Sequence, residues 1–378
     1  MNKEVLIMNA FQDNLSKHLY VLALAALMSA MVVIMSGPSL YAASSSYQQH
    51  SLVADKIGQA DHTDSSLVNA WGIAFHPNGF VWVADNGTGK STAYDGLGNK
   101  MAEITVPPPA GGLGTAAPTG IVFNTSSDFV VTKDSNSGAS TFIFATEDGT
   151  ISGWNQNVDA TNAILAVDNS SSGAVYKGVA IAANGTGRFL YATDFHNNRI
   201  DVFDKDFEPA SLACPGSPQK TFIDPKMPAG FAPFGIHNVR GNLYVTYAKQ
   251  DNVQHDDVAG RGLGTVDVYD ANGCLIRRVV TRGQLNAPWG IAVAPADFGK
   301  FSNTLLIGNF GDGKINAFDM ASGNFRGTLS IKGKPLVIEG LWGIAFGNGV
   351  NNQPVNSLFF AAGPNDETDG LFGSVEAD

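Results

Sequence analysis

Asn69-Ala70-Trp71-Gly72-Ile73-Ala74-Phe75 carries the stretch that decides the fold, Trp-Gly-Ile. The same pattern, one residue followed by Gly and then Ile or Val, returns as Thr119-Gly120-Ile121, Lys177-Gly178-Val179, Phe234-Gly235-Ile236, Trp289-Gly290-Ile291 and Trp342-Gly343-Ile344. Successive glycines stand 48, 58, 57, 55 and 53 residues apart. A fixed period of this length is the mark of a repeat architecture, in which each copy is one supersecondary unit.

Each copy is followed by an apolar run bounded by turn residues, such as Phe80-Val81-Trp82-Val83-Ala84 or Leu305-Leu306-Ile307. A third stretch alternates with period two, as in Arg199-Ile200-Asp201-Val202-Phe203-Asp204 and Val266-Asp267-Val268-Tyr269-Asp270. Both read as strands, the second with one face buried. Fourth strands are predicted at Ala102 to Val106, Lys220 to Ile223, Leu275 to Val280 and Phe325 to Ile331. Four antiparallel strands repeated radially make a blade, and six blades make a ring. The chain is therefore read as all-β, a six-bladed β-propeller. The glycine has a physical reason: inner strands crowd the axis, and a residue without Cβ lets backbones approach. The sixth copy runs out at Gly373-Ser374-Val375-Glu376-Ala377-Asp378, a third strand with no fourth after it. Gln48 to Ala54 is strand-like and unassigned, so the N-terminal strand is expected to close the ring and remove an open edge.

Composition agrees. Gly is 43 of 378 residues and charged residues are 15%, against about 7% and about 25% in ordinary proteins. That suits many short strands and tight turns. The net charge of −11 repels phosphate backbones, which excludes nucleic acid as a partner and favours cations. Leu19 to Met35 is an uncharged apolar run behind Lys17 and His18, with small residues at Ser39, Ala42 and Ala43. That order is a secretory signal, giving a signal peptide over 1–42 and a propeller over 46–378. An uncleaved anchor is the other reading of a run at the lower limit of a membrane span. No other stretch is long and apolar enough for a span, so no further membrane contact is expected. An exported chain, periplasmic or extracellular, allows a disulfide between its two cysteines, Cys214 and Cys274. They lie in loops leaving the same face of neighbouring blades. A monomer is expected.

Several stretches carry a resemblance: Asn69 to Phe75, Trp82 to Gly89, Tyr247 to Asp251, His255 to Gly260, Gly308 to Gly313 and Ala362 to Glu367. The chain resembles six-bladed propellers of the NHL-repeat and gluconolactonase-like type, and more closely a family of exported bacterial propellers described as uncharacterised. The resemblance implies the fold rather than a reaction. It also implies a place for a divalent metal, because gluconolactonase-like propellers hold one at the channel mouth with carboxylates and amides.

The loops between second and third strands are polar and should ring one mouth of the channel. They contain Asp85-Asn86, Glu147-Asp148, Asp194 with His196, the long segment Lys249 to Gly260, Asn309 with Asp312, and Asn365-Asp366-Glu367. Oxygen-rich rings of this kind suit a hard cation such as Ca²⁺. Asp-Gly pairs such as Asp312-Gly313 are also ordinary turn chemistry. Asp194 and Asn309, each followed by Phe, and Glu339 are the oxygen-bearing positions a turn explains least, so they are the expected metal ligands. His255 beside Asp256 and Asp257 is a general base, a metal ligand or part of a solvated loop. Asp85, Asn86, His196, Lys249, Asp251, His255, Asp256, Asp257, Asp312 and Asp366 form the expected ligand-binding set. Trp71, Trp289 and Trp342 are read as packing between blades rather than as a sugar platform. Three functions fit: a propeller binding a small molecule, glycan or protein on its polar mouth, a metal-dependent hydrolase or lactonase working there, or a purely structural role in the cell envelope. No HExxH, GxSxG or catalytic cysteine pattern is present.

Overall fold

A computed structural model describes residues 46–214 and 221–378; the expected signal segment over 1–42 lies outside them. Six antiparallel sheets follow one another along the chain. Blade one is Ala70–Phe75, Val81–Asp85, Lys90–Tyr94 and Lys100–Thr105, in spatial order. Blade four (Phe231–Val239, Asn242–Lys249, Gly264–Tyr269, Leu275–Thr281) and blade five (Pro288–Val293, Leu305–Asn309, Ile315–Phe318, Phe325–Thr328) repeat that order. Blade two does so with Pro118–Phe123, Phe142–Thr146, Thr150–Trp154 and Ile164–Asp168. A short hairpin, Val130–Lys133 with Asn136–Ala139, is inserted after its first strand and was not legible in the repeat.

The ring closes as the sequence predicts. Tyr47–Ala54 pairs antiparallel with Leu371–Ala377, outside Leu341–Phe346 and Leu358–Ala362. Blade three departs from expectation. Its described strands are Tyr176–Ala183, Arg188–Asp194 and Arg199–Phe203. Thr221 to Ile223, predicted as the end of a fourth strand, is turn and coil, and Lys220 lies outside the described residues. The backbone of Phe222 bonds instead to Gly273 of blade four, at 2.7 Å. The run from Phe325 also breaks: Ser330–Ile331 leaves the blade to pair with Lys334–Pro335.

The glycine of each motif has the role its spacing suggested. A Cβ on Gly72 would meet Thr119 O, one on Gly120 Val179 N, one on Gly290 Trp342 O and one on Gly343 Trp71 O, all under 3.0 Å. Gly235 stands in the same relation to Trp289 O, and Gly178 to Ile236 N at 3.2 Å. Each glycine thus faces the inner strand of the next blade, and the contacts run once around the axis. Register shifts sit beside the same motif in every blade, for example between Ala70 and Ile73 and between Leu341 and Ile344. Such a bulge re-aims a side chain.

Candidate functional site at the channel mouth

The residue before each glycine forms a ring of six: Trp71, Thr119, Lys177, Phe234, Trp289 and Trp342. The three indoles are buried together. Trp71 stacks on Trp342 at 3.5 Å between ring centroids, and Trp289 meets both edge-on at 6.2 and 5.9 Å. Phe310 stacks on Trp342 at 4.0 Å, and Phe195 packs against Phe234 at 5.1 Å. These rings form one cluster, an aromatic plug across the axis. The tryptophans are packing, as read from the sequence.

Lys177 is the exception in this ring. Its side chain is 2% exposed, and its ammonium lies 5.2 Å from the ring centre of Trp71 and 5.9 Å from that of Phe195. A buried lysine charge requires partners. Lys177 Nζ donates to Glu147 Oε1 and, at 3.3 Å, to Asp256 Oδ1. Burial works against its charge, but Glu147 and then Asp256 and Asp257 outweigh it and hold its pKa above the ordinary value. Glu147 also accepts from Asn86 Nδ2 at 2.8 Å, and Asn86 Oδ1 accepts from Asn69 Nδ2 at 3.1 Å. His255 Nδ1 pairs with Asp256 Oδ1 at 2.8 Å.

Two further carboxyls complete the cluster. Burial raises Asp257 to about 7, opposed by Lys177 and reinforced by Glu367. Glu367 is raised by burial and then by Glu147. Asp257 Oδ2, Glu367 Oε1 and Asn69 Oδ1 are all buried without a hydrogen-bond partner. Buried acceptors are nearly always satisfied, so three orphans in one cluster mark a place for a donor or cation.

Of the residues singled out from the sequence, Asn86, His255, Asp256 and Asp257 meet here. The others are held in their own loops or strands. Asp85 is fully buried in blade one, receives Thr92 Oγ1 at 3.3 Å and is raised well above the carboxylate range by burial. Asp194 accepts from the backbone of Val175 and Asn197 and pairs with Arg199 at 3.3 Å. Asn309 donates to Gln284 O and Asp312 Oδ1, while Asp312 also pairs with Lys314. Exposed Glu339 accepts from Asn365 N at 3.0 Å. No hydrogen bond or ion pair links Asp194, Asn309 and Glu339. Asp251 caps His255 N at 2.9 Å. His196 is half-buried; Lys249 and Asp366 are exposed. Sequence reading placed Glu147 and Glu367 in the acidic loops of the mouth without naming them as ligands, and assigned no site role to Lys177 or Asn69. The available signal was the third motif copy, where a lysine stands in a position four other copies fill with aromatic rings.

For a divalent cation the described residues gather one set, Glu147, His255 and Asp256, with ligand atoms within 4.8 Å of one another. Both of its carboxylates already receive the Lys177 ammonium, which stands where a cation would. A metal fits this set only if Lys177 gives it up.

No family model matches the chain. It is 36% identical over 329 residues to "Uncharacterized protein R648" of Acanthamoeba polyphaga mimivirus, covering 86% of this chain and 78% of that one. It is 34% identical over 335 residues to "Uncharacterized protein L690" of the same virus, covering 86% and 85%. The chain belongs to the family of these two proteins. Both are viral, so they lend no support to a bacterial source. Among solved structures, a glucose dehydrogenase superposes with a TM-score of 0.52 at 12% identity, over 88% of this chain and 100% of that one. That likeness extends to the propeller fold alone.

Proposed function

We propose that the chain is an exported propeller that binds a small, positively charged molecule in the carboxylate-lined mouth of its channel. The observation that carries this is the set of three buried, unpartnered acceptors, Asn69 Oδ1, Asp257 Oδ2 and Glu367 Oε1, beside a Lys177–Glu147–Asp256 network. Four carboxyls share one ammonium, and burial raises the pKa of two of them, Asp257 and Glu367, so a second cation beside them would be stabilised by restoring their charge. An ammonium or guanidinium group supplies several donors at once and forms the stronger, charge-assisted bonds. The net charge of −11 draws such a ligand in. Export is supported by the disulfide between Cys214 and Cys274. Among the described residues no helix is long and apolar enough to cross a membrane.

Calorimetry with agmatine, choline and lysine methyl ester tests the reading, with Ca²⁺ as the competing probe. One of the amines should bind at one site per chain, and an Asp257→Asn/Glu367→Gln variant should lose it. Absence of any amine binding would overturn the proposal. Ca²⁺ binding lost in Glu147→Gln would instead favour a metal site at Glu147, His255 and Asp256, the second reading.

A further inference from the structure

The aromatic plug divides the channel, and its other half is open. A cavity of 930 Å³ lies there, lined by the inner strands of all six blades over residues 72–75, 120–123, 178–181, 236–240, 291–295 and 343–346, with Trp289 at its closed end. That volume is within the range of small-molecule sites, about 300–1,000 Å³. Phe75, Phe123, Val293 and Phe346 line it and are only half-buried, so apolar surface remains uncovered. Each inner strand is the last in its sheet, which leaves one edge of backbone donors and acceptors without a strand partner.

The charge pattern here is the reverse of the polar mouth. Among the described residues no carboxylate lines this cavity, in a protein of net charge −11, and Arg240 is the one charged lining residue. Arg240 is exposed at the rim, and among the described residues its guanidinium has neither an ion pair nor a hydrogen bond. The neighbouring polar side chains are already engaged. His237 Nε2 contacts Trp289 O at 3.1 Å, and Asn238 Nδ2 donates to Ile181 O at 2.7 Å. Burial lowers His237 to about 4, so it adds no charge near neutrality.

We infer that this half-channel is a second binding site, one that takes a monocarboxylate with an apolar body. The body lies against the Ile, Val and Phe walls, and the carboxylate meets Arg240 at the rim. A guanidinium presents paired donors that match a carboxylate, and none of the described lining residues is an acid that would repel it at close range. This site is separated from the mouth by the plug and does not depend on the function proposed there.

Decanoate and decanol separate the two parts of the argument, because they share a chain length and differ in charge. Binding is followed by the fluorescence of the protein, with Trp289 at the cavity end as reporter, and its stoichiometry by calorimetry. Decanoate should bind once per chain, with decanol weaker by about tenfold or more, as loss of a charged hydrogen bond implies. Arg240→Gln, at an exposed position, should bring decanoate down to the decanol level. Asp257→Asn, in the other half of the channel, should leave decanoate binding unchanged. Equal affinity for the two probes, parent-like decanoate binding by Arg240→Gln, or no saturable binding would each overturn the inference.

Discussion

The Lys177 ammonium is bonded to the Glu147 carboxylate with the lysine side chain 2% exposed and the glutamate 14%. Removing one partner of a buried pair leaves an uncompensated charge and costs about 3–5 kcal/mol. Lys177→Met should therefore destabilise by that order in urea unfolding, because Glu147, Asp256 and Glu367 are left facing one another. Lys177→Met/Glu147→Gln should recover much of the loss. A single variant as stable as the parent would show that Lys177 is not what holds the acids together.

The glycine ring predicts an order of severity. A Cβ on Gly343 would lie 2.5 Å from Trp71 O, whereas one on Gly178 would lie 3.2 Å from its nearest atom. The first clash is with backbone and cannot be relieved by a rotamer change. Gly343→Ala should cost about 1–3 kcal/mol or more, the range of overpacked cores, and Gly178→Ala clearly less. Denaturation midpoints of the two variants check the order, and a reversed order would contradict the packing described.

The repeat was legible because one geometric demand, close approach at the axis, recurs six times and leaves no room for a Cβ at five of the six positions. The mouth was legible only in part, because sequence shows which loops carry acids and not which way each side chain turns. Asp85 and Asn86 are adjacent, yet Asp85 ends a strand and is buried within its blade, while Asn86 begins the loop and reaches Glu147. Asp194 and Asn309 drew attention because Phe follows each. Those phenylalanines have their own purpose: Phe195 and Phe310 enter the aromatic plug. Asp194 still accepts from Asn197 three residues on, as a turn residue does. Lys177 was obscured because it occupies a position that elsewhere serves packing.

Ring closure rests on Tyr47 as well as on strand pairing. Its hydroxyl donates to Phe298 O at 3.1 Å and accepts from Phe301 N at 3.2 Å, both buried. Tyr47→Phe leaves both backbone groups unsatisfied and should cost about 1–3 kcal/mol. Deleting residues 46–56 removes the whole outer strand and should abolish the cooperative thermal transition. A deletion variant that melts like the parent would mean the ring closes without it.

Asp257 makes stability depend on pH. In the folded chain its carboxyl stays protonated up to about 7, whereas in the unfolded chain it ionises near the ordinary value of about 3.9. Between those values the folded state holds the extra proton, so its contribution to stability falls as pH rises from about 4 to 7 and levels off above that. Asp267, also raised to about 7 by burial and then by Asp224, adds a slope of the same sign. The difference between parent and Asp257→Asn isolates the first residue. Unfolding free energies at pH 4, 5, 6 and 7 should show the variant gaining on the parent as pH rises. A constant difference across that range would mean Asp257 titrates normally.

Cys214 and Cys274 are joined across 60 residues, with Cα atoms 5.4 Å apart. The bridge ties the connection after the last described strand of blade three to the turn before the outer strand of blade four. Blade three has only three described strands, and between Phe203 and Cys214 the described chain returns to the third strand only at the Phe203–Pro209 bridge and the Ala210 N to Val202 O bond. In the loop-entropy account a closed loop of this length stabilises by about 4 kcal/mol, less any strain. Reduction with a phosphine, or Cys214→Ser/Cys274→Ser, should lower the unfolding free energy by up to that amount without changing the strand content seen by circular dichroism. Thiol titration of denatured, unreduced protein should find neither cysteine reactive. Two reactive thiols would remove the bridge, and an unchanged denaturation midpoint after reduction would show that blade three is secured by its packing against blade four alone.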